Sequence, residues 1–249
     1  MSRRSRKKVV KILWWNVNRR IDSTLMSVSP IETEKPKIIF LLETIMGFDI
    51  LPEIRKYKKY ADPNIVQINH GGFVAYVHQS LVPFVFDVKY GTCFVAFRLE
   101  YAPPFLFIGL YIHPENSKYF TTDMFNELSE LLLSANERNF ITILGGDMNC
   151  RFGDLNNCFG KRGLWYDENV DPIDNFHGRT YGVDLCESCN IFPLNHLNHQ
   201  NKVFKGKFTY LKSENRSQID FTFTNREGLK YVSDFSVITE NWHYQIICL

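Results

Sequence analysis

The chain lacks the long apolar stretch that a membrane-spanning helix requires. A span needs roughly 18 or more consecutive apolar residues, and the apolar runs of this sequence are all much shorter. The basic segment at residues 3–8 is followed by polar and strand-like residues and not by the apolar core of a signal peptide. We therefore expect an intracellular protein, nuclear or cytoplasmic, without a membrane partner.

Excess charge of one sign is also missing, because the 249 residues carry a formal net charge of only +2. A nucleic-acid partner would have to be met by a local basic patch and not by the overall field of the protein. Residues 1–8 form a basic tail with the run Arg3-Arg4-Ser5-Arg6-Lys7-Lys8. This composition fits a nuclear-localisation signal, a phosphate-contacting arm or a solvated tail, and these alternatives stay open.

Cysteine is scarce and scattered along the chain. There are six cysteines, and only Cys186 and Cys189 form a Cys-x-x-Cys pair. A single such pair without a second one is weak evidence for a zinc site. Reduced thiols on a helix of an intracellular protein are the better interpretation.

Short apolar runs bounded by turn residues are abundant instead. They predict strands over residues 9–15, 38–42, 72–77, 94–99, 106–111, 140–144, 208–210 and 219–224. Apolar residues at helical spacing predict one long helix beginning near residues 121–123 and a shorter one over 184–189. Residues 156–179 are polar and lack periodicity, so we expect a surface excursion there. The pattern favours a mixed-sheet α/β sandwich in one domain, residues 9–249.

Polar side chains recur where these predicted strands end. They are Asn16, Glu43, Tyr111, Asp147, Asn149 and Asp220. Loops at strand ends, held by a rigid sheet, are the usual place for catalytic residues. Carboxylates suit Mg²⁺, an aspartate can orient or deprotonate a water, and asparagine amides can donate to a phosphate oxygen. Each residue alone is more typical of a turn, so the weight lies in the order of the whole set.

That order resembles the motifs of the endonuclease/exonuclease/phosphatase superfamily, most closely the endonuclease domains of LINE-type (non-LTR) retrotransposons. The segments that carry the resemblance run from residue 9 to residue 244 and are Trp15-Asn16-Val17-Asn18, Leu42-Glu43-Thr44, Leu110-Tyr111 with Pro114, Gly145-Gly146-Asp147-Met148-Asn149-Cys150-Arg151-Phe152-Gly153, Asp184-Leu185-Cys186, Phe208-Thr209-Tyr210 and Ser217-Gln218-Ile219-Asp220. The Gly-Asp-Met-Asn and Ser-x-Ile-Asp motifs are the specific ones. Leucine replaces the usual glutamine before Glu43, and His113 stands where small or apolar residues are common.

The resemblance implies a four-layer α/β sandwich, with two mixed sheets face to face and helices outside. It also implies Mg²⁺-dependent attack of water on a DNA phosphodiester, with Mn²⁺ as an alternative and no small-molecule cofactor. By the same resemblance, Glu43 is the main metal ligand with Asn16 in support, Asp147 and Asn149 position the nucleophile, and Tyr111 contacts the phosphate. Thr209 then touches the DNA backbone, and Asp220 orients a catalytic histidine. Such domains normally share a polyprotein with a reverse transcriptase, which is absent from this chain.

The pattern breaks at the end of the chain, where the family has Ser-Asp-His and this sequence has Asn241-Trp242-His243. Two interpretations stay open. In the first, His243 is the catalytic histidine and Trp242 replaces the aspartate. In the second, which the spacing favours, the chain diverges just before Ser-Asp-His through truncation, splicing or a frameshift, and the sheet edge there lacks a partner. Either way we expect a weak or inactive nuclease, because losing one phosphate donor costs about 10²–10³ in rate.

Other functions fit parts of the same sequence. A catalytically inert DNA- or protein-binding module with this fold would explain the missing Ser-Asp-His, although the otherwise complete set of carboxylates and amides argues against it. An abasic-site nuclease, a deadenylase or a lipid phosphatase would use the same phosphoester chemistry. The residues of the Gly-Asp-Met-Asn and Ser-x-Ile-Asp motifs argue against these three functions.

Overall fold

The computed structural model describes residues 9–18, 30–47, 49–64, 71–160, 164–166, 171–199, 202–204, 207, 209–212, 215–238 and 244–249. The strands of the two large sheets are β1 (Lys11–Asn16), β2 (Ile38–Leu42), β3 (Tyr57–Tyr60), β4 (Phe73–His78), β5 (Val85–Tyr90), β6 (Phe94–Leu99), β7 (Phe105–Tyr111), β8 (Ile141–Asp147), β10 (Ile191–Pro193), β15 (Asp220–Asn225), β16 (Asp234–Ile238) and β17 (Tyr244–Cys248). Short strands outside them are β9 (Trp165–Tyr166), β11 (Leu197–His199), β12 (Lys202–Val203), β13 (Tyr210–Lys212) and β14 (Asn215–Ser217). The helices are α1 (Pro30–Glu34), α2 (Asp123–Glu137), α3 (Leu155–Phe159) and α4 (Val183–Ser188), with 3₁₀ turns at Val82–Phe84 and Gly228–Lys230 and a π-helical turn at His177–Gly182.

Two six-stranded mixed sheets form the body of the protein. The first has the order β16-β17-β1-β2-β4-β3 and the second β10-β15-β8-β7-β6-β5. Each sheet contains one pair of parallel neighbouring strands near its centre, β1 with β2 in the first sheet and β7 with β8 in the second. Their carboxyl ends therefore lie at one edge of each sheet. β15 and β17 run antiparallel to β8 and β1, so these two strands begin at the same edge.

The core fills the space between the sheets and continues outside both of them. Trp14 of β1 stacks on Phe40 of β2 with ring centroids 5.7 Å apart, and Phe40 stacks on Phe97 of β6 at 5.8 Å. The side chains of β1 and β2 that alternate with Trp14 and Phe40 point to the opposite face of the first sheet. They form a second apolar cluster with Ile31 of α1. The buried face of α2, including Leu128, joins the main core. The predicted α/β sandwich of two mixed sheets with outer helices is confirmed.

Most predicted elements are present with shifted ends, but two expectations are wrong, one about the segment 156–179 and one about a sheet edge. The segment 156–179 is not only a surface excursion, because Phe159 and His177 in it are fully buried and Asp171 is 3% exposed. These residues are buried one at a time by tertiary contacts, which leave no periodicity in the sequence.

The edge expected to lack a partner is also filled. β17 lies between β16 and β1 and pairs with both. Val10 and Leu249 extend the ladder between β1 and β17, since each donates its backbone N–H to the carbonyl of the other. The last described strand therefore fills an inner position of the first sheet, between β16 and β1.

All six cysteines are free, and both members of the Cys-x-x-Cys pair are buried. The part of the chain that the structure describes contains no helix that is both long and apolar enough to cross a membrane.

Gly146 occupies a position on β8 that tolerates no side chain. Its φ is +143°, and a Cβ there would lie 2.1 Å from the carbonyl oxygen of Leu110. We expect Gly146→Ala to lower the free energy of unfolding by more than about 2 kcal/mol, because backbone must move apart. Gly160→Ala is the matched control, since its nearest contacts are 3.8 Å away and its φ is −61°. Urea unfolding of both variants tests this, and equal midpoints would contradict it.

Candidate functional site

The strand topology brings the polar residues predicted from the sequence to one edge of the sandwich. In the first sheet Asn16 pairs with Leu42, and Glu43 follows directly. In the second sheet Asp147 is flanked by Tyr111 on one side and by Asp220 on the other. The two sheets are joined here by a hydrogen bond from Nδ2 of Asn16 to Oδ2 of Asp147, at 3.0 Å. We call Asn16, Glu43, Asp147, Asn149 and Asp220 the carboxylate cluster.

Asp147 is fixed at the centre of this cluster by donors on both of its oxygens. Besides the bond from Asn16, its Oδ1 accepts the backbone N–H of Asn149 at 2.9 Å. The side-chain amide of Asn149 donates to the carbonyl oxygen of Ile112 at 2.7 Å, which holds that turn against the end of β7. Oδ1 of Asn16 in turn accepts the backbone N–H of Asn18 at 2.9 Å. The orientation of the Asp147 carboxylate is therefore determined by neighbouring strand ends.

Burial and like charge both act on Asp147. The residue is only 4% exposed. Burial raises the pKa of its carboxyl well above the ordinary value, and the nearby Asp220 and Glu43 raise it further. The hydrogen bonds from Asn149 and Asn16 act in the opposite direction and lower the pKa. Carboxyl groups shifted in this way are frequent at catalytic sites.

Asp220 is the second shifted carboxylate. Burial is the main cause that raises its pKa to about 6, and Glu43 adds to the rise, whereas the hydroxyl of Thr209 lowers it. Oγ1 of Thr209 also accepts the backbone N–H groups of Ile219 and Asp220, at 3.2 and 3.1 Å. Thr209, predicted to touch DNA, thus lies beside Asp220 and holds the start of β15. Its role toward DNA stays a prediction.

The backbone at the carboxylate cluster adopts conformations that are rare for residues other than glycine. Glu43, Ile45 and Asn149 have φ values of 57°, 51° and 49°. Positive φ is uncommon for residues other than glycine and is a real outlier for a β-branched residue such as Ile45. Such conformations concentrate at functional sites, where the surrounding structure imposes them.

The possible ligand atoms of the carboxylate cluster suit a hard divalent cation. They are carboxylate and amide oxygens, and Mg²⁺ often binds through only one or two carboxylates while keeping several waters. Over the described ranges, no group of three or more His, Cys, Asp or Glu side chains is arranged to hold a metal ion. Burial is the main cause of the raised aspartate pKa values, and a cation would offset the repulsion among Glu43, Asp147 and Asp220 that adds to it. The residues therefore fit a magnesium ion with few protein ligands.

A buried ion pair behind the cluster was missed by the sequence analysis. Arg151 donates from Nε to Oδ2 of Asp171 at 3.0 Å and from Nη2 to Oδ1 at 2.7 Å. Oδ2 of Asp171 also accepts the backbone N–H of Gln218 at 2.8 Å. Asp171 thus ties the loop after Asp147 to the residues that precede Asp220.

Asn175 adds a second tie to the same loop. Its Oδ1 accepts the backbone N–H groups of Arg151 and Gly178, at 2.9 and 2.8 Å, and its Nδ2 donates to the carbonyl oxygen of Asn149 at 3.0 Å. Gly178 packs so closely that a Cβ would lie 2.0 Å from the carbonyl oxygen of Arg151. Asp171 and Asn175 both come from the segment expected to be a surface excursion. Only the polar character of that segment hinted at them.

Gln245 of β17 is a further residue that the sequence did not single out. It is 2% exposed, hydrogen-bonded to the hydroxyl of Thr222, and lines a small cavity together with Asn16, Thr209 and Asp220. The predicted catalytic His243 lies outside the described residues. Tyr244, which follows it in the sequence, pairs with Trp15, the neighbour of Asn16.

No protein-family model matches the chain, and no curated protein matches it in sequence. Solved structures do match it over nearly its whole length. The AP endonuclease LMAP from Leishmania major has a TM-score of 0.72 and 14% identity, over 98% of this chain and 89% of that one. The 3′ phosphatase NExo from Neisseria, bound to a product DNA hairpin, has a TM-score of 0.69 and 16% identity, over 96% and 98%.

The endonuclease domain of TRAS1, a telomere-specific non-LTR retrotransposon, has a TM-score of 0.61 and 14% identity, over 97% of this chain and 98% of that one. Identities this low relate the chain to these proteins by fold. The chain therefore has the fold of the endonuclease/exonuclease/phosphatase superfamily, which its sequence motifs resemble.

Proposed function

We propose that this chain hydrolyses DNA phosphodiester bonds in a Mg²⁺-dependent reaction, as a nicking endonuclease of the retrotransposon type. The observation that carries the proposal is the placement of Asp147, which is held by Asn16 and Asn149 and faces the carboxylates of Glu43 and Asp220. This arrangement offers a metal site and a base for water at one edge of the sandwich.

Each residue of the cluster has a proposed role. Glu43, supported by Asn16, would hold Mg²⁺ or Mn²⁺, and the bound cation would neutralise charge on the phosphate. Asp147 accepts the proton of the attacking water, a role that its raised pKa favours. Tyr111, at the end of β7 beside Asp147, donates to a phosphate oxygen, and Asn149 keeps Asp147 in place.

The proposal that the endonuclease is of the retrotransposon type rests on the residues of two sequence motifs. The Gly-Asp-Met-Asn-Cys-Arg-Phe-Gly and Ser-x-Ile-Asp segments resemble LINE-type endonucleases, and the TRAS1 domain is among the structures with the same fold. A reverse transcriptase in the same polyprotein and a nuclear or cytoplasmic location remain predictions.

A nicking assay on supercoiled plasmid tests the proposal. We expect slow conversion to the open circular form with Mg²⁺ and none with EDTA. The double variant Asn241→Ser with Trp242→Asp writes Ser-Asp-His into this chain and separates the two interpretations of its end. A rate at least tenfold higher identifies His243 as the catalytic histidine, and an unchanged rate supports divergence before that motif.

The competing function is an inert DNA-binding module, which the substituted Ser-Asp-His favours. DNA binding without any nicking, in the natural chain and in the double variant alike, would establish it. Nicking that persists in EDTA would instead overturn the metal-dependent mechanism.

A further inference from the structure

Gln245 forms a second polar bridge between the two sheets, one strand away from the bond between Asn16 and Asp147. It pairs with Trp14 in the first sheet, and its Oε1 accepts a hydrogen bond from the hydroxyl of Thr222 in the second. The Gln245 side chain is only 2% exposed. Because the amide oxygen is fixed toward Thr222, the amide nitrogen faces another part of the interior.

This amide nitrogen is a buried donor. Among the residues that the structure describes, none accepts a hydrogen bond from Nε2 of Gln245. Buried amide donors are almost always paired, either with protein or with an ordered water. The nitrogen of Gln245 therefore indicates a bound water in its neighbourhood.

A small cavity of about 10 Å³ provides the space for that water. One buried water needs about 10–15 Å³ and usually makes about three hydrogen bonds to polar groups. Polar residues from three parts of the chain line the cavity, and they are Asn16, Thr209, Asp220 and Gln245. The cavity thus has the size and the partners for one water.

Asp220 presents its carboxylate to the same space. Side chains two residues apart on a strand point to the same face of the sheet, and the hydroxyl of Thr222 reaches across to the first sheet. The carboxylate of Asp220 therefore also points between the sheets, roughly 7 Å from Thr222 along the strand. The amide of Gln245 and one water together span this distance.

The backbone around Asp220 is already held by other residues. Asn195, which is fully buried, accepts the N–H of Thr222 at 3.1 Å and donates to the carbonyl oxygen of Asp220 at 3.2 Å. Thr209 accepts the N–H of Asp220 at 3.1 Å. The freedom left to Asp220 is rotation of its carboxylate, and a donor on the cavity side restricts that rotation.

We propose that Gln245 is a positioning residue, which holds the carboxylate of Asp220 through one water bound between them. The inference rests on the proposed function, in which Asp220 orients the histidine that contacts the phosphate. Gln245 acts only through Asp220, because a side chain that is 2% exposed does not reach DNA. Its loss should therefore lower kcat and leave KM unchanged.

Nicking of supercoiled plasmid in Mg²⁺ tests this role with Gln245→Met, which removes the amide and keeps an unbranched side chain of similar size. We expect kcat to fall about tenfold, as for other residues that orient a site through one intermediate group, with KM changed less than about twofold. Gln245→Asn keeps the donor one methylene further away and should recover part of the rate.

Thr142→Val is the matched control. Its hydroxyl is also buried and also has no partner in the described part of the chain, but Thr142 lies at the opposite end of β8 from Asp147. We expect this variant to leave kcat unchanged. An equal fall of kcat in Thr142→Val and Gln245→Met would overturn the inference, because removal of any buried polar group would then suffice.

NMR spectra of the natural chain, without DNA or metal, test the water itself. We expect a nuclear Overhauser cross-peak between the side-chain amide of Gln245 and a long-lived water, with the amide assigned by its loss in Gln245→Met or, if that variant does not fold, in Gln245→Asn. Asp220→Asn should shift this amide resonance. Absence of the water cross-peak, or an unchanged kcat in Gln245→Met, would overturn the inference. A natural chain that shows the cross-peak but nicks no DNA would overturn the proposed function and leave the water-bridged contact in place.

Discussion

Replacing Asp147 with asparagine is expected to abolish detectable nicking and to change the stability of the metal-free protein only a little. The rate should fall by at least about 10²–10³, because asparagine cannot accept the proton of the attacking water. The free energy of unfolding should change by less than about 1 kcal/mol, because the loss of a buried carboxylate that faces Asp220 and Glu43 is offset by a new amide donor that meets the donor of Asn16 or Asn149. Loss of activity through misfolding would lower stability, so the two readouts together separate catalysis from folding.

The same electrostatics predict how stability depends on pH. The pKa of Asp220 in the folded protein is about 6, above the ordinary value of 3.8. The folded state therefore binds this proton more tightly than the unfolded state, and the stability that it contributes is lost as pH rises from about 4 to about 6. Urea unfolding in EDTA should show this decline, and Mg²⁺ at pH 7 should reverse part of it.

Glu130→Gln is the control for the Asp147→Asn variant, because Glu130 lies exposed on α2, away from the carboxylate cluster. It should leave nicking unchanged and stability within about 0.5 kcal/mol. Undiminished nicking by Asp147→Asn would remove Asp147 from the mechanism, and a loss of more than about 2 kcal/mol in the free energy of unfolding in EDTA would show that the variant loses activity through misfolding.

The second large effect is expected from Asp171→Asn. The carboxylate of Asp171 is 4% exposed and accepts both donors of Arg151 as well as the backbone N–H of Gln218. Asparagine would place an amide donor against these donors and leave the guanidinium without its counter-charge. We expect a loss of about 2–4 kcal/mol in the free energy of unfolding, and a roughly tenfold lower kcat with little change in KM, because Asp147 and Asp220 lose a shared support.

A matched ion pair lies in the same segment. Arg179 and Asp174 are 3.3 Å apart, with side chains 63% and 45% exposed. Asp174→Asn should therefore cost less than about 0.5 kcal/mol. Thermal unfolding and steady-state nicking of Asp171→Asn and Asp174→Asn test this comparison. Equal losses of stability and rate in the two variants would show that burial does not make the Asp171 ion pair more important than the exposed one.

The sequence predicts the carboxylate cluster because strand ends leave a local signal. Asn16, Glu43 and Asp147 each follow an apolar run. The parallel pairing of β1 and β2 brings Asn16 and Glu43 together, and the packing of the second sheet on the first places Asp147 beside Asn16. The Ser-x-Ile-Asp motif marked Asp220 as a site residue, but the register that places it opposite Asp147 depends on long-range pairing and had no signal in the sequence. The residues of this part of the site, though not that register, were accessible without coordinates.

The supporting residues were not accessible in the same way. Asp171 and Asn175 sit among polar residues with no periodic pattern, and only the folded chain shows that they are buried against Arg151. The π-helical turn before α4 likewise leaves no distinctive spacing in the sequence. Gln245 has no signal of its own in the sequence, and only the contacts with Thr222 and the cavity shared with Asp220 place it at the site.

The position of β17 has a consequence for synthesis of the protein. A ribosome delivers residues 244–248 long after β1, yet β17 is the strand that covers one side of β1 in the sheet. Until it emerges, the nascent chain carries an apolar strand with a row of unsatisfied backbone groups, which is a template for pairing with other chains. Translation pauses or early release before β17 would therefore favour aggregation, and holding chaperones would be most needed during that interval.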